Sequence, residues 1–288
     1  MKKTALLLAL LMLVGLAIGC TSQPAAQPAA QPAAEPVAQP AVEPAAEDDL
    51  AYIKGTGELK IGITIFSPMN YYDDSGKLVG FETEFSEAFC ERLGVTPEFI
   101  EINWDTKEVE LAAKNIDCIW NGLTVTEERK ANIGFSDSYI KNMQVAVIKA
   151  SNAADFPDTA SLAAANLVAE MGSAGETAIA EDANLAKGSY TAVPKQADAL
   201  MEVKAGTADA AVIDYVMAKA MVGEGTDYSD LMIIPGLELA IEEYAIGFRV
   251  ASSAIPNANE IISGLIADGT LNAIAAKYDL TDSLLSNQ

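Results

Sequence analysis

The sequence has no histidine and few basic residues, and both absences exclude classes of chemistry. Its 288 residues include 18 lysines and arginines against 41 aspartates and glutamates. Without histidine the chain cannot form a Ser-His-Asp triad, an HExxH zinc site or a histidine pH switch. A formal net charge of −23 repels phosphate backbones, so we expect no nucleic-acid partner. We also expect no metal and no other cofactor.

Cysteine is scarce as well, since only Cys20, Cys90 and Cys118 are present. The last two fall in apolar patterns, where a free cysteine commonly packs as a small hydrophobic residue. Two cysteines are too few for a disulfide framework, although a single bridge between them stays open. Neither is expected to be a nucleophile, because the chain has no histidine to act as its base.

The chain begins with a short apolar run, Thr4–Ile18, preceded by two lysines. This pattern predicts a secretory signal over residues 1–19, and the run is too short to span a bilayer comfortably. Cys20 directly follows Leu16-Ala17-Ile18-Gly19, which resembles a bacterial lipobox, where the cysteine is lipidated and becomes the mature N-terminus. We expect an extracytoplasmic protein anchored to the cell membrane by lipid; ordinary export with an incidental cysteine is the alternative.

A proline-rich repeat follows the cysteine. From Pro24 to Pro44 a proline stands at every fourth position, separated mainly by alanine and glutamine. Such a repeat has little to bury and favours an extended polyproline II conformation. At ~3.1 Å per residue it could span roughly 80 Å. Residues 20–50 are therefore predicted to be a tether between the membrane and the folded part.

From Leu59 onward, apolar runs rich in isoleucine and valine alternate with helical patterns. Helices are predicted at Thr83–Leu93 and Gln196–Lys204, where apolar residues share one face and a glycine follows. This alternation predicts an α/β fold with largely parallel sheets, whose ligands bind at the carboxyl ends of strands. The predicted strands are Lys60–Thr64, Glu98–Ile102, Asp117–Trp120, Gln144–Ile148, Leu167–Glu170, Ala210–Ile213, Leu231–Ile234 and Tyr244–Val250.

The segment Asn121–Lys130 follows one predicted strand and carries a candidate anion site. Thr124 with Glu127 fits a capping box, which predicts a helical turn opening here. The amides of that turn and the guanidinium of Arg129 would both favour a carboxylate. A solvated surface arginine is the commoner alternative.

Three further features stand at strand ends. The run Gly172–Glu176 consists mostly of small residues, which let main-chain amides approach an anion, although a tight turn explains it equally well. Asp214 could cap the next helix, its commoner role, or accept hydrogen bonds from a ligand ammonium. Phe66 and Trp104 are either core residues or walls for a small ligand.

Taken in order, these blocks resemble the polar amino acid binding proteins of bacterial ABC importers, the family 3 solute-binding proteins. The resemblance covers essentially everything after the linker. It rests on seven blocks, namely Gly57–Gly62, Gly76–Glu82, Asn121–Lys130, Phe135–Tyr139, Gly172–Glu176, Asp209–Asp214 and Asp268–Leu271.

The resemblance implies a two-lobed periplasmic-binding-protein fold of type II, with the ligand enclosed between the lobes. Lobe 1 is expected to comprise residues 51–141 and 245–288, and lobe 2 residues 142–244. The two crossing segments are expected near Tyr139–Met143 and Glu243–Tyr244.

The resemblance also implies roles for individual residues. Arg129 matches the arginine that clamps the ligand carboxylate, and Asp214 matches the aspartate opposite the ammonium. Gly122 and Thr124 match residues that receive the ammonium and the carboxylate. The remaining residues expected to contact the ligand are Trp104, Phe66, Asn121, Ser173 and Ala174.

The sequence departs from the family pattern at two positions. Ala174 stands where a Ser or Thr hydroxyl often touches the carboxylate, which leaves its amide and Ser173. Thr64 stands near a position that is acidic in some relatives that bind cationic ligands, so a polar, uncharged amino acid is favoured. Glu170 could supply a substitute acid, which keeps cationic ligands open.

We therefore expect a monomer that captures a free amino acid and delivers it to the permease of an ABC importer, without enzymatic activity. One alternative is a dehydratase-like enzyme of the same fold, with Glu170 as a general acid or base. A ligand-sensing module that feeds a receptor is another. Because arginine, an ordinary aspartate and an ammonium keep their charges between about pH 5 and 8, we expect affinity to change little over that range.

Overall fold

The computed structural model describes residues 48–288. The predicted signal sequence, the lipid attachment at Cys20 and the linker up to residue 47 lie outside the described residues and stay predictions. The first helix begins at Asp49, within the range predicted to be linker, and the Asp48 side chain caps it by accepting a hydrogen bond from the main-chain N of Ala51. The fold thus starts slightly before the predicted boundary at residue 51.

Strands and helices alternate along most of the described chain. The strands are β1 (Glu58–Ile63), β2 (Tyr71–Tyr72), β3 (Leu78–Val79), β4 (Thr96–Glu101), β5 (Cys118–Ile119), β6 (Ile133–Phe135), β7 (Ile140–Lys149), β8 (Asn166–Glu170), β9 (Ser189–Val193), β10 (Ala210–Asp214), β11 (Leu231–Ile233), β12 (Ala240–Tyr244) and β13 (Gly247–Arg249). The α-helices are α1 (Asp49–Thr56), α2 (Phe81–Leu93), α3 (Lys107–Ala112), α4 (Ala174–Glu181), α5 (Gln196–Ala205), α6 (Tyr215–Met221), α7 (Ala254–Ala267) and α8 (Thr270–Lys277).

Two mixed sheets form the framework. The first has the order β4-β1-β5-β13-β6, in which β1 is parallel to β4 and β5 while β13 is antiparallel to its neighbours. The second has the order β11-β7-β10-β8-β9, with β12 also paired to β7. Strands β8, β9 and β10 are parallel, whereas β7 is antiparallel to β10, β11 and β12. The α/β class is confirmed, but the sheets are mixed rather than largely parallel, because segments that run between the sheets add antiparallel neighbours.

Helices α2 and α5 show how the sequence produces this layering. In α2, Phe81, Phe85 and Phe89 lie on one face and are buried, and the helix ends where Gly94 adopts a left-handed φ of 81°. Strand β10, which packs against α4 and α5, is buried at every position. A strand covered on both faces has a continuous apolar run rather than an alternating pattern, as its sequence shows.

Two short connections link the sheets, one between β6 and β7 and one between β12 and β13. They run side by side: Ile140 is paired with Tyr244, and the main-chain N of Tyr139 donates to the oxygen of Tyr244 at 3.0 Å. Near the C-terminus, Leu285 N donates to the oxygen of Tyr139, also at 3.0 Å. The predicted crossing segments lie at or directly beside these connections, in β7 and β12, and the lobe boundaries stay a prediction.

Some local predictions were wrong. Thr124 and Glu127 do not open an α-helix; Thr124 instead forms a β-bridge with Tyr244, and a 3₁₀ turn begins at Arg129, whose main-chain N donates to Thr126 Oγ1. Tyr244–Val250 is not one strand but the end of β12 followed by β13. Strand β9 was not predicted, because at the sheet edge its residues are exposed or only partly buried up to the last one, Val193, and form no apolar run.

Cys90 and Cys118 are free thiols buried in the core. Burial raises the pKa of Cys90 to about 12, which agrees with a packing role. Within residues 48–288, no helix combines the length and the hydrophobicity that crossing a bilayer requires.

Candidate functional site

A cavity lies where the parallel strands of both sheets end. Strands β4, β1 and β5 of the first sheet and β9, β8 and β10 of the second direct their carboxyl ends toward it, the edge at which open α/β sheets bind ligands. All nine residues predicted to contact a ligand line this cavity, namely Phe66, Trp104, Asn121, Gly122, Thr124, Arg129, Ser173, Ala174 and Asp214. Thr64, Glu170 and Gln196 complete the lining.

The cavity is small and tightly lined. The space between the lining residues amounts to about 270 Å³ including open solvent at its mouth, and the part of it wide enough for water holds about one molecule. Ligand pockets of several hundred Å³ hold drug-sized molecules, so this space suits a much smaller ligand. Entry of even such a ligand requires the walls to move apart.

Arg129 lies on the side of the first sheet, with only 7% of its surface exposed. Nη1 donates to the main-chain oxygen of Thr124 at 2.9 Å, and Nη2 donates to that of Gly172 at 3.1 Å. Among the described residues no carboxylate lies within ion-pair distance of the guanidinium. Burial lowers the pKa of Arg129, yet an arginine stays charged in proteins. The solvated-surface alternative is wrong, and a buried cation beside a cavity attracts an anion.

Asp214 ends β10 on the opposite side and is 5% exposed. Its side chain does not cap α6, so the capping alternative is wrong; Asn142 Oδ1 accepts from the main-chain N of Val216 in that helix instead. The carboxylate accepts hydrogen bonds from four neutral side chains and has no cationic partner within residues 48–288. These donors are Asn142 (2.6 Å), Gln144 (2.9 Å), Gln196 and the Tyr244 hydroxyl.

A second acid, Glu242, lies behind Asp214. The side-chain amides of Asn142 and Gln144 each donate to both carboxyl groups. Burial, followed by the charge of Asp214, raises the pKa of Glu242 well above its usual range. Two carboxyl groups this close disfavour each other's ionisation, which is why the proton on Glu242 is held more tightly.

Gly122 brings the backbone of the first sheet close to an aromatic wall. Its φ is +60°, and a Cβ atom at this position would lie 2.5 Å from Cε1 of Phe66. The main-chain N of Gly122 donates to Oε2 of the buried Glu82 at 2.8 Å, and Tyr139 donates to Oε1 of the same acid. Burial raises the pKa of Glu82 to about 7. The Gly122 N–H is therefore already bonded within the protein.

The turn after β8 forms the facing wall. Ser173 Oγ accepts a hydrogen bond from the main-chain N of Glu176 at 3.1 Å, while the Glu176 carboxylate accepts from the main-chain N of Gly172 at 2.6 Å. This is a reciprocal cap of α4. The tight-turn reading of this segment is thus confirmed, and the Ser173 hydroxyl is engaged in holding the helix end.

Lys107 contributes a second buried cation beside Arg129. Its Nζ donates to the main-chain oxygens of Trp104 at 3.1 Å and Gly172 at 3.0 Å, and lies 4.9 Å from the centre of the Trp104 ring. Burial, followed by the charge of Arg129, lowers the pKa of Lys107 to about 8. The Gly172 oxygen therefore accepts hydrogen bonds from two cations on the side of the first sheet.

Glu170, at the end of β8, is 4% exposed. Its Oε1 is buried and has no hydrogen-bond partner. Burial and the charge of Asp214 raise the pKa of Glu170 to about 8. Buried polar atoms are nearly always hydrogen-bonded, so this oxygen marks a place where the cavity can receive a donor.

Several residues that shape the site were not predicted. Gln196 lines the cavity, while Glu82, Lys107, Asn142 and Glu242 hold the lining in place. Gln196 follows β9, a strand whose pattern was too weak to detect. The others lie within helices or strands and reach the site through the fold, so no local pattern marks them.

Residues 59–281 match the family of bacterial extracellular solute-binding proteins, family 3. The chain is 25% identical to the L-cystine-binding protein TcyJ of Escherichia coli (strain K12), over 78% of this chain and 84% of that protein.

Two solved structures are similar in fold. An ABC uptake transporter substrate-binding protein from Streptococcus pneumoniae with bound histidine is 30% identical, with a TM-score of 0.72, over 81% of this chain and 96% of that one. Tv2483 bound to L-arginine is 24% identical, with a TM-score of 0.77, over 84% of this chain and 98% of that one; at that identity the likeness concerns the fold alone.

Proposed function

The chain belongs to family 3 of the bacterial extracellular solute-binding proteins, and we propose that it captures a free amino acid outside the cell membrane for delivery to an ABC importer. The relatives support an amino acid as ligand, because TcyJ is named for L-cystine and the Streptococcus pneumoniae protein holds histidine. The type II periplasmic-binding-protein fold also supports this proposal, because proteins with this fold capture small ligands between two lobes.

One observation carries the proposal. Arg129 and Asp214 line one cavity from opposite sheets, both are buried, and each has no ion-pair partner among the described residues. A free amino acid has a carboxylate and an ammonium one carbon apart, so a single molecule can bond to both. In this binding mode Arg129 grips the carboxylate through a forked pair of hydrogen bonds, and Asp214 accepts from the ammonium. Thr124 also contacts the ligand carboxylate, and the carbonyl of Gly122 accepts a second hydrogen bond from the ligand ammonium.

Binding of one ligand to both sheets favours the arrangement in which they are close together. A ligand shifts such an equilibrium only through a difference in affinity between the two states, and the zwitterion provides one because an open cleft separates Arg129 from Asp214. The small free volume of the cavity requires opening for entry, and the paired connections at Tyr139 and Tyr244 are the proposed hinges.

A thermal-shift screen of the twenty amino acids tests this function. A ligand that binds the native state alone raises the unfolding temperature by mass action. We expect a selective increase with one amino acid or a few. If none of the twenty changes the unfolding temperature at millimolar concentration, the proposed function is wrong.

We propose that Cys20 carries the lipid that holds the protein at the membrane, with the residues between it and helix α1 as its tether, and that the folded part acts as a monomer beside its permease. The Cys20→Ala variant tests the anchor, because fractionation of expressing cells should then recover the protein in the soluble extracytoplasmic fraction. A variant that stays with the membrane would contradict lipidation at this cysteine.

We propose a polar side chain for the ligand. Thr64 favours an uncharged one, since its hydroxyl donates to Asn121 Oδ1 at 2.7 Å and offers no charge to the cavity. Glu170 could pair with a cationic side chain, so a cationic ligand is the alternative. We expect no turnover of the bound amino acid; chromatography after prolonged incubation checks this, and a product whose yield depends on Glu170 would support the dehydratase-like alternative.

A further inference from the structure

Most of the polar side chains that line the cavity are bonded within the protein. Thr64 and Asn121 bond to each other, and Asn121 also donates to Thr64 O and to Asn70. Gln196 donates to the Asp214 carboxylate and accepts from the Asp214 main-chain N. Four side-chain atoms within residues 48–288 are buried without a partner, and of these only Glu170 Oε1 belongs to the cavity lining.

The position of Glu170 sets it apart from the groups proposed to hold the amino acid's backbone. Strand β8, which it ends, lies between β10 and β9 in the second sheet. Glu170 therefore stands between Asp214, which ends β10, and Gln196, which follows β9. This row of strand ends is the place beside Asp214 where the side chain of a bound amino acid can lie.

No neighbouring group supplies the missing bond. Lys107 is the nearest candidate cation, but its Nζ donates to the main-chain oxygens of Trp104 and Gly172, and it forms no ion pair with Glu170. Gln196 bonds to Asp214 through both its Nε2 and its Oε1, and it also lies close enough to the Glu170 carboxyl group to lower its pKa, yet Glu170 Oε1 itself has no partner. Glu170 Oε1 therefore stays without a hydrogen bond although polar groups surround it.

We propose that Glu170 selects the ligand by its side chain, accepting a hydrogen bond from an N–H group at the end of that side chain. This inference rests on the proposed capture of a free amino acid and narrows its ligand to amino acids with such a donor. Two kinds of side chain end in such an N–H donor: a neutral carboxamide as in glutamine and a cationic group as in arginine.

Discrimination follows from the cost of burying an unbonded acceptor. An apolar side chain of equal length would leave Glu170 Oε1 without a partner, whereas an N–H donor satisfies it. A site built around a hydrogen bond to its substrate rejects analogues that lack it far better than an apolar pocket rejects an added hydroxyl. Glu170 is therefore a specificity residue, and Arg129 and Asp214 supply affinity common to all amino acids.

Isothermal titration calorimetry with three probes tests this role: glutamine, arginine and norleucine, an apolar amino acid of similar reach. The wild-type protein should bind glutamine or arginine at least about tenfold more tightly than norleucine. Glu170→Leu should remove that preference, weakening the N–H ligand by about tenfold or more while norleucine binds as well or better. Glu170→Gln separates the two sources, because an amide retains an acceptor for glutamine but cannot ionise to the carboxylate that would pair with arginine.

Glu98→Gln is the matched control, since Glu98 is an exposed acid on β4, and it should leave all three affinities unchanged. Thermal melts establish that each variant folds. An equal loss for all three probes in Glu170→Leu, or a wild-type protein that prefers norleucine, would overturn the selectivity role while leaving amino acid capture intact. If no amino acid binds the wild-type protein, the proposed function itself fails.

Discussion

Arg129 and Gly172 are joined across the cavity, with Nη2 of the arginine 3.1 Å from the main-chain oxygen of the glycine. Lys107 donates to the same oxygen at 3.0 Å. Arg129 and Lys107 belong to the side of the first sheet, and Gly172 to the loop after β8 of the second. The protein therefore has contacts of its own that favour the closed arrangement, and a ligand strengthens a state that is already accessible.

Lys107→Met should shift the ligand-free protein toward the open arrangement. The substitution keeps the apolar stem but removes the hydrogen bonds to Trp104 and Gly172. Loss of about 1 kcal/mol from the closed state should weaken amino acid binding roughly five- to tenfold. Small-angle X-ray scattering should show a larger radius of gyration without ligand. The control is Lys54→Met, at an exposed position on α1; equal behaviour of both variants would refute the contact's role.

Gly122→Ala should destabilise the protein and weaken ligand binding, although it adds only a methyl group. The new Cβ would lie 2.5 Å from Phe66 Cε1, at a residue whose φ is +60°. We expect a loss of about 1–3 kcal/mol in the free energy of unfolding and a large loss of amino acid affinity. Gly76→Ala is the matched control, because its φ is +79° but no atom lies within 4 Å of the added methyl group. It should destabilise the protein by about 1 kcal/mol and leave binding unchanged.

Stability should fall as the pH rises through the neutral range, even though the chain has no histidine. Burial raises the pKa of Glu82 from 4.5 to about 7, so the folded state holds this proton more tightly than the unfolded chain. The free energy of unfolding then decreases by about 3 kcal/mol between roughly pH 4.5 and 7 on this account alone.

Glu82→Gln isolates this contribution. The amide is nearly isosteric: its oxygen can accept from Gly122 N while its NH₂ donates to the Tyr139 oxygen. Urea unfolding at pH 5, 6, 7 and 8 should show a flatter pH profile for the variant than for the wild-type protein. Parallel profiles for the two proteins would mean that Glu82 does not titrate in this range.

Asp214→Asn should weaken binding of the amino acid by about 2–5 kcal/mol, because the ligand ammonium loses its charged partner. Calorimetry measures this loss, and circular dichroism establishes that the variant is folded. Asp209→Asn, just before the other end of β10, is the control, since Asp209 accepts only from the main-chain N of Asn166 at 2.8 Å. Affinity close to that of the wild-type protein in Asp214→Asn would remove this residue from the ammonium site.

The predictions that succeeded were those encoded in local patterns. Buried strands such as β10 have continuous apolar runs, and the residues at their carboxyl ends, such as Asp214, necessarily reach one edge of a sheet. The resemblance to a family then placed Arg129 opposite Asp214. The structure brings all of the predicted ligand contacts into one cavity, while their roles toward a ligand stay predictions.

The predictions that failed depended on long-range packing. Thr124 and Glu127 have the spacing of a capping box, but pairing of Thr124 with Tyr244, far along the chain, overrides that local preference. The expectation of pH-independent affinity stays a prediction, but it assumed carboxyl groups with ordinary pKa values. The fold instead buries Glu82 and Glu170 and raises their pKa to about 7 and 8, and burial of an acid cannot be read from its neighbours in sequence.

The most direct test of the bridged zwitterion compares two ligands in two proteins by calorimetry. The ligands are the amino acid that binds best and the amine that remains when its carboxylate is removed; the proteins are the wild type and Arg129→Met. If Arg129 binds the carboxylate, the wild-type protein should prefer the amino acid by at least about a hundredfold, and the variant should bind both ligands with similar, weak affinity. A folded Arg129→Met protein that keeps the wild-type preference for the amino acid would contradict the account.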